Sequence, residues 1–260
     1  MMSGRTRLQL KELSLRSLVR TVRQPAQLFP ALIFPLFLLA INSAGLKAAV
    51  HIPGFPTDSY LTFALAVPFI QVGLFGLLNA GTDLARDIET GFMKRLALTP
   101  VGGSTLIVGQ LSGVVAFGIF GGLLYLAIGL AAGAGFAAGL AGVFWLIALA
   151  AMITLAFGCV GIFAALRMGN SEAVQGLFPL FFMFLFLSSM ALPRDLIQAD
   201  WFRMVATLNP VSYLIEGIRS LFVVGIDPHA LAVAFAVAGS ITVIFLTASA
   251  LTVRSRLTRT

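Results

Sequence analysis

Six apolar runs, at 28–46, 60–82, 104–131, 139–165, 174–192 and 229–252, confine the charges of this 260-residue chain to the segments between them. Each is near or above the roughly 20 residues needed to cross about 30 Å of hydrocarbon as an α-helix. The runs are continuously apolar and do not alternate with period two, which favours helices over a β-barrel. Only 10% of the residues are charged and 59% are hydrophobic, against about 25% charged in a soluble domain. The expected fold class is an all-α polytopic membrane protein with six transmembrane helices, forming a single membrane domain over residues 1–260. Too little chain remains outside the runs for a catalytic domain of ordinary size.

The net charge of +7 would fit a nucleic-acid partner, but its distribution points to membrane topology. With the N-terminus placed inside and the sides alternated, the inner segments hold 13 of the 17 basic residues and the outer ones 4 (Lys47, Arg194, Arg203 and Arg219). This is the positive-inside asymmetry, so both termini are expected in the cytoplasm of a multi-pass protein of the inner (plasma) membrane. The single cysteine, Cys159, excludes an internal disulfide and reads as a small packing residue. His51 and His229 have no second ligand at metal-like spacing, so no metal site is expected. A basic leader precedes the first run, but that run is too long and the cleavage motif too poor for a removed signal peptide. Arginine outnumbers lysine 14 to 3 in a chain rich in Ala and Gly, a composition that suggests a GC-rich bacterial genome.

Residues 5–23 place Leu8, Leu15, Leu18, Val19 and Val22 on one helical sector and Arg16, Arg20 and Arg23 on another, with Lys11 intruding on the apolar side. A basic amphipathic helix lying along the inner membrane surface is expected there, ending at Gln24-Pro25; a generic basic anchor is the plain alternative. Pro30 and Pro35 should bend the first span. Gly109 and Gly113, and Gly118 and Gly122, form two G-x-x-x-G pairs suited to close helix approach, within the subunit or across a dimer. The connection 132–138 is tiny and uncharged, so the spans it joins should form a tight hairpin. The run 174–192 is dense in phenylalanine, fit for lipid contact, packing or a hydrophobic slot. Residues 193–228 carry too many charges to span. Within them, Asn209-Pro210 reads as a capped helix start, and Glu216 and Arg219 stand at i, i+3 spacing for an ion pair. A short helical element on the outer face is expected, re-entrant or interfacial.

The segment 83–100, DLARDIETGFMKRLALTP, is a charged block between bilayer-length runs. Its charges must lie outside the hydrocarbon, where burial would cost several kcal/mol each. Asp83, Arg86, Asp87, Glu89, Lys94 and Arg95 around Gly91 read as a docking element for another protein; a solvated loop is the alternative. Gly91 should break the helix leaving the second run, and Pro100 should terminate the short helix that follows.

Two stretches carry a family resemblance. Glu89-Thr90-Gly91-Phe92-Met93-Lys94-Arg95-Leu96 with Thr99-Pro100 resembles the E-x-G-x-x-x-x-L…T/S-P signature of type-2 ABC exporter permeases. Leu208 to Arg219, LNPVSYLIEGIR, resembles the NP-x-x-Y-x-x-E-x-x-R segment before the last span of that family. Within it the chain is similar to the bacterial daunorubicin-resistance-type permeases. The resemblance extends over essentially the whole chain. It implies a dimer, with a second copy or a paralogue, that forms a translocation pathway and is driven by separate ABC ATPase subunits on the cytoplasmic face. ATP and Mg would sit on those partners, and this chain would bind no cofactor and have no catalytic residue. Residues 5–23 would be the connecting helix and 83–100 the coupling segment, with Asp87, Glu89, Gly91, Lys94, Arg95 and Pro100 facing the ATPase. Residues 193–228 would form short re-entrant helices before the last span, with Asn209, Pro210, Tyr213, Glu216 and Arg219 at the extracellular gate.

The residues themselves agree that the chain is not an ATPase, since no G-x-x-x-x-G-K-[ST] loop is present. No nucleophile motif or carboxylate pair stands within a run, against an intramembrane enzyme. A secondary transporter or channel remains as the alternative function, though ion coupling usually needs buried ionisable groups that the runs lack. Uncharged spans suggest an apolar or amphipathic cargo, a drug or a lipid, leaving by efflux. Phe69, Gln71, Asn79, Phe182 and Phe186 are the candidate pathway residues. Membrane lipids are expected partners and nucleic acid is not.

Overall fold

The structure, a computed structural model, describes residues 25–91 and 103–257. The amphipathic segment 5–23 and residues Lys94, Arg95 and Pro100 lie outside the described residues. Every regular element among the described residues is helical.

Helix α1 spans Pro25–Gly45 and keeps Pro30 and Pro35 inside one continuous helix. After a 3-10 turn at Lys47–His51 come α2 (Tyr60–Ala64) and α3 (Ala66–Glu89). These join at Leu65 because Pro68 lacks the N–H that would bond the Ala64 carbonyl. Helices α4 (Gly103–Ala131) and α5 (Gly139–Met168) make the expected hairpin, with Gly133 and Gly139 at φ of 88° and 59° turning the chain. Next follow α6 (Ser171–Gln175) and α7 (Phe178–Phe186), then a 3-10 turn at Arg194–Leu196. The chain closes with α8 (Asp200–Leu208), α9 (Pro210–Val223) and α10 (Pro228–Leu257).

Among the described residues, five stretches are long and apolar enough to cross a membrane: Leu28–Gly45, Tyr60–Glu89, Ile107–Ala131, Gly139–Met168 and Pro228–Thr252. The run expected as a span at 174–192 differs. Its helical part, Ser171–Phe186, is shorter than a full crossing, and residues 187–193 continue without helix. The cause is tertiary and lies in α9, as described below.

Helix α3 is the axis of the bundle. It packs chiefly on α5 and also on α1, α4, α6 and α9. In α3 83% of the spanning residues are buried, against 17% in α1 and 22% in α10, so the latter two form the periphery. The α3–α5 crossing brings the two backbones into contact. A Cβ on Gly161 would fall 2.1 Å from the Leu77 carbonyl oxygen, and one on Gly81 2.9 Å from the Gly161 oxygen. Without hydrophobic drive between helices in lipid, such backbone proximity and its dispersion gain do the joining. Of the two G-x-x-x-G pairs, Gly118 and Gly122 pack inside the subunit, against Thr154 and Ala150 of α5.

The bundle has two chemically distinct ends. At one, Ser171 meets Glu89. At the other, the α4–α5 hairpin is pinned where Gly135 N–H donates to Thr62 Oγ1 at 2.9 Å and where Ala137 and Ala138 N–H donate to the Phe222 and Leu221 carbonyls.

Candidate functional site

Asn209, Ser212, Glu216 and Arg219 recur at i, i+3, i+7 and i+10, which places them along one face of α9. Asn209 caps the helix, its Oδ1 accepting from Val211 N–H at 2.9 Å, with Pro210 at the first helical position. The same amide donates through Nδ2 to the Phe184 carbonyl at 2.6 Å and to the Leu187 carbonyl at 3.0 Å. Ser212 Oγ accepts from Ser189 N–H at 3.1 Å. Arg219, 6% exposed, donates through Nη2 to the Ser189 and Met190 carbonyls and through Nε to the Phe63 carbonyl. Its guanidinium lies 3.6 Å from the centroid of the Phe63 ring, a cation–π contact in a dry setting.

These contacts explain why the phenylalanine-rich run stops being helical at Phe186. Backbone groups away from water must find partners. Along 184–190 the Phe184, Leu187, Ser189 and Met190 carbonyls and the Ser189 N–H find them on α9 and its cap, so the chain can leave its helix there. Helix α9 has 14 residues, about 21 Å of rise. It runs from the Leu221–Phe222 contacts at the hairpin end down to Asn209 beside the end of α7. A continuous apolar run therefore ends in a socket built by a segment some 20 residues downstream.

The expected Glu216–Arg219 pair is not the one that forms. Glu216 Oε2 accepts from Arg194 Nη2 at 2.6 Å, while Arg219 turns inward to the carbonyls. Three neutral acceptors and an aromatic face in the interior suit a planar guanidinium with several fixed donors. Arg194 also lies 4.5 Å from the centre of the Tyr213 ring, whose hydroxyl donates to the Thr207 carbonyl at 2.8 Å. Burial pulls the Arg194 guanidinium down, but the Glu216 carboxylate and Tyr213 outweigh it, so its pKa ends above the ordinary arginine value. Arg203 pairs with Asp200 on the exposed face of α8.

At the opposite end, α3 stops at Glu89 and Gly91 adopts φ +69°, the left-handed conformation that favours glycine at a helix terminus. Glu89 Oε1 accepts from Ser171 N–H at 2.7 Å and its Oε2 from Ser171 Oγ at 3.3 Å. The carboxylate thereby ties the chain leaving α3 to the start of α6, where Asn170 caps through Oδ1 to Glu172 and Ala173 N–H. Asp87 is turned inward, 5% exposed, and accepts from Gln110 Nε2 of α4 at 3.3 Å. Nothing in the one-dimensional pattern announced the Glu89–Ser171 contact, which joins residues 82 positions apart.

The candidate pathway residues do not form one surface. Phe69 sits in the core between Tyr125 and Phe222, and Gln71 is buried beside Asn42 and Tyr60. Asn79 shares a water-sized void with Asp83 and Gln110. Phe182 is packed between Phe34 and Phe178, and Phe186 is exposed.

Among the described residues, five membrane-length stretches with α3 as their buried axis, one shortened apolar segment and a polar-faced α9 define a polytopic membrane protein. A sequence profile described as "ABC-2 type transporter" matches residues 8–223, and the chain belongs to that family. It is 27% identical over 218 residues to a transport permease, ycf38, of Pyropia yezoensis, covering 82% of this chain and 74% of that protein. The ycf38 transport permease of Porphyra purpurea is 26% identical over the same shares. That of Cyanophora paradoxa is 27% identical over 214 residues, 80% of this chain and 71% of the relative.

Proposed function

We propose that this chain is the membrane-spanning subunit of an ATP-driven exporter, paired with a second permease copy and driven by separate ATPase subunits docked at the Glu89 end. The observation that carries the reading is the Glu89–Ser171 tie at the end of α3. A force applied to the segment after Gly91 would reach α3 directly and α6 through Glu89. That is the lever that energy from outside the chain requires, and the family normally works with ATPase subunits. Lys94 and Arg95 would contact the partner, while Asp87 and Glu89 would act within the permease. ATP and Mg would be held by the partner.

In this reading the Glu89 end is cytoplasmic, together with both termini and the 5–23 helix, in the plasma membrane of a bacterium. Residues 171–192 are the outward crossing, a sixth span whose outer part is unwound against α9. Helices α8 and α9 are the re-entrant pair, and Tyr213, Glu216 and Arg219 steady the outer gate. The cargo is hydrophobic, as in the daunorubicin-resistance branch. Of the pathway candidates, Phe186 is the residue free to face cargo or a second copy.

The test is purification of the chain from its native membrane in mild detergent. Stoichiometric recovery of a P-loop ATPase, weakened by Lys94→Glu, supports the reading. Recovery of the chain alone, with transport intact, favours a secondary transporter or channel. In the assembled complex Glu89→Ala should leave ATP hydrolysis and lower export; unchanged export would sink the lever.

A further inference from the structure

An apolar cavity of about 540 Å³ lies between α7 on one side and α5 with α10 on the other. It exists because α7 leans on α3 and α9, whereas α10 packs on α5 and α9, leaving a wedge between the two groups. Its size falls within the roughly 300–1,000 Å³ of small-molecule sites. Phe157, Phe163, Phe181 and Phe245 supply aromatic walls, and Val211 at the start of α9 contributes to the lining. From Phe157 to Arg167 along α5 is about 15 Å, so the space is elongated along the bundle.

One charge lines it. Arg167 stands in the last turn of α5, at the Glu89 end, exposed and with no carboxylate partner among the described residues. An apolar slot with a single cation at its end is matched by a molecule with an apolar chain and an anionic head. We infer that this cavity holds an acyl chain of an anionic membrane lipid, with the lipid phosphate on Arg167. A helix from a second copy fits less well. Its apolar side chains would cover Arg167 without neutralising it, and an uncompensated charge is costly to bury. A lipid leaves the guanidinium at the interface and pairs it, in the leaflet where anionic headgroups meet basic residues.

This inference concerns a lipid site within one subunit and needs no ATPase, so it stands or falls apart from the exporter reading. The experiment places the full chain in phosphatidylcholine vesicles containing phosphatidylglycerol. Trace probes of either lipid carry a diazirine on the acyl chain, and labelled peptides are mapped by mass spectrometry. Labelling of 157–164 and 177–184 should be roughly fivefold greater with the phosphatidylglycerol probe, the ratio expected for one cation at an anionic headgroup. Arg167→Gln should bring the two probes level while acyl labelling persists. Ala164→Phe should remove labelling by both; if that variant does not fold, Phe181→Trp narrows the same space. Equal labelling of the unmodified chain by both probes would overturn the inference in favour of unselective lipid contact. Cross-linking of two chains through Phe181→Cys, with loss of lipid labelling, would overturn it in favour of a second copy. Labelling lost whenever an attached ATPase turns over would reassign the cavity to cargo.

Discussion

Asn209 offers the sharpest test of how the broken apolar run is held. One amide does three things: it caps α9 through Oδ1 and closes the Phe184 and Leu187 carbonyls through Nδ2. Asn209→Ala loses a cap, about 1 kcal/mol, and two hydrogen bonds from an almost fully buried side chain, about 1 kcal/mol each. The total is about 3 kcal/mol, or a fall of roughly 6–12 °C in Tm on the scaling for chains of this size. Asn209→Asp separates the contributions. A carboxylate still accepts from Val211 N–H but faces two carbonyl oxygens where donors stood. It should therefore be at least as destabilising as Asn209→Ala, although Asp is as good a cap as Asn in an isolated helix. Thermal unfolding of the detergent-solubilised chain, followed by tryptophan fluorescence, measures both. If Asn209→Asp unfolds within about 1–2 °C of the unmodified chain, under about 1 kcal/mol on the same scaling, the amide does not hold 184–187 and the argument fails.

Further outcomes follow from the same geometry. Arg219→Lys should cost about 2 kcal/mol and Arg219→Met more, because an ammonium lacks the planar fork that reaches three carbonyls and methionine has no donors. Glu216→Gln, which alters a quarter-exposed ion pair, should cost under about 1 kcal/mol; equal losses at 216 and 219, read in the same thermal assay, would contradict their separate roles. Gly161→Ala should reduce stability far more than Gly91→Ala. The first drives a Cβ to 2.1 Å from the Leu77 oxygen, while the second meets no atom within 4 Å and carries only the left-handed penalty of about 1–2 kcal/mol. A double-mutant cycle of Glu89→Ala with Ser171→Ala should give a small stability coupling, under about 1 kcal/mol for exposed groups. Loss of export in the assembled complex should be the larger effect, and additive effects on export would break the proposed linkage.

Much of the helical plan was legible because each determinant is local. Apolar runs of bilayer length declare spans, a seven-residue uncharged connection declares a hairpin, and Asn-Pro before an amphipathic stretch declares a capped helix. Gly91 likewise marks the end of α3, where the backbone turns left-handed. What the runs conceal is whether an apolar segment stays helical through its length. Residues 174–192 are as apolar as any span, yet the helix stops at Phe186, since Asn209, Ser212 and Arg219 offer its backbone other partners. The spacing of those three was present in the sequence. The i, i+3 spacing of Glu216 and Arg219 fits a local ion pair equally well, which masks it.

The sequence by itself determined that this chain spans a membrane and, through the profile it matches over residues 8–223, to which family it belongs. Hydrophobic length and charge placement act residue by residue against the bilayer and need no knowledge of neighbours. Only the tertiary structure decided that α3 is the buried axis, that Gly161 sets its contact with α5, and that Glu89 reaches Ser171. The inward turn of Arg219 was decided there too. Those outcomes depend on which backbone group lies within about 3 Å of which side chain, and residues 82 or 156 positions apart meet only when the helices have packed.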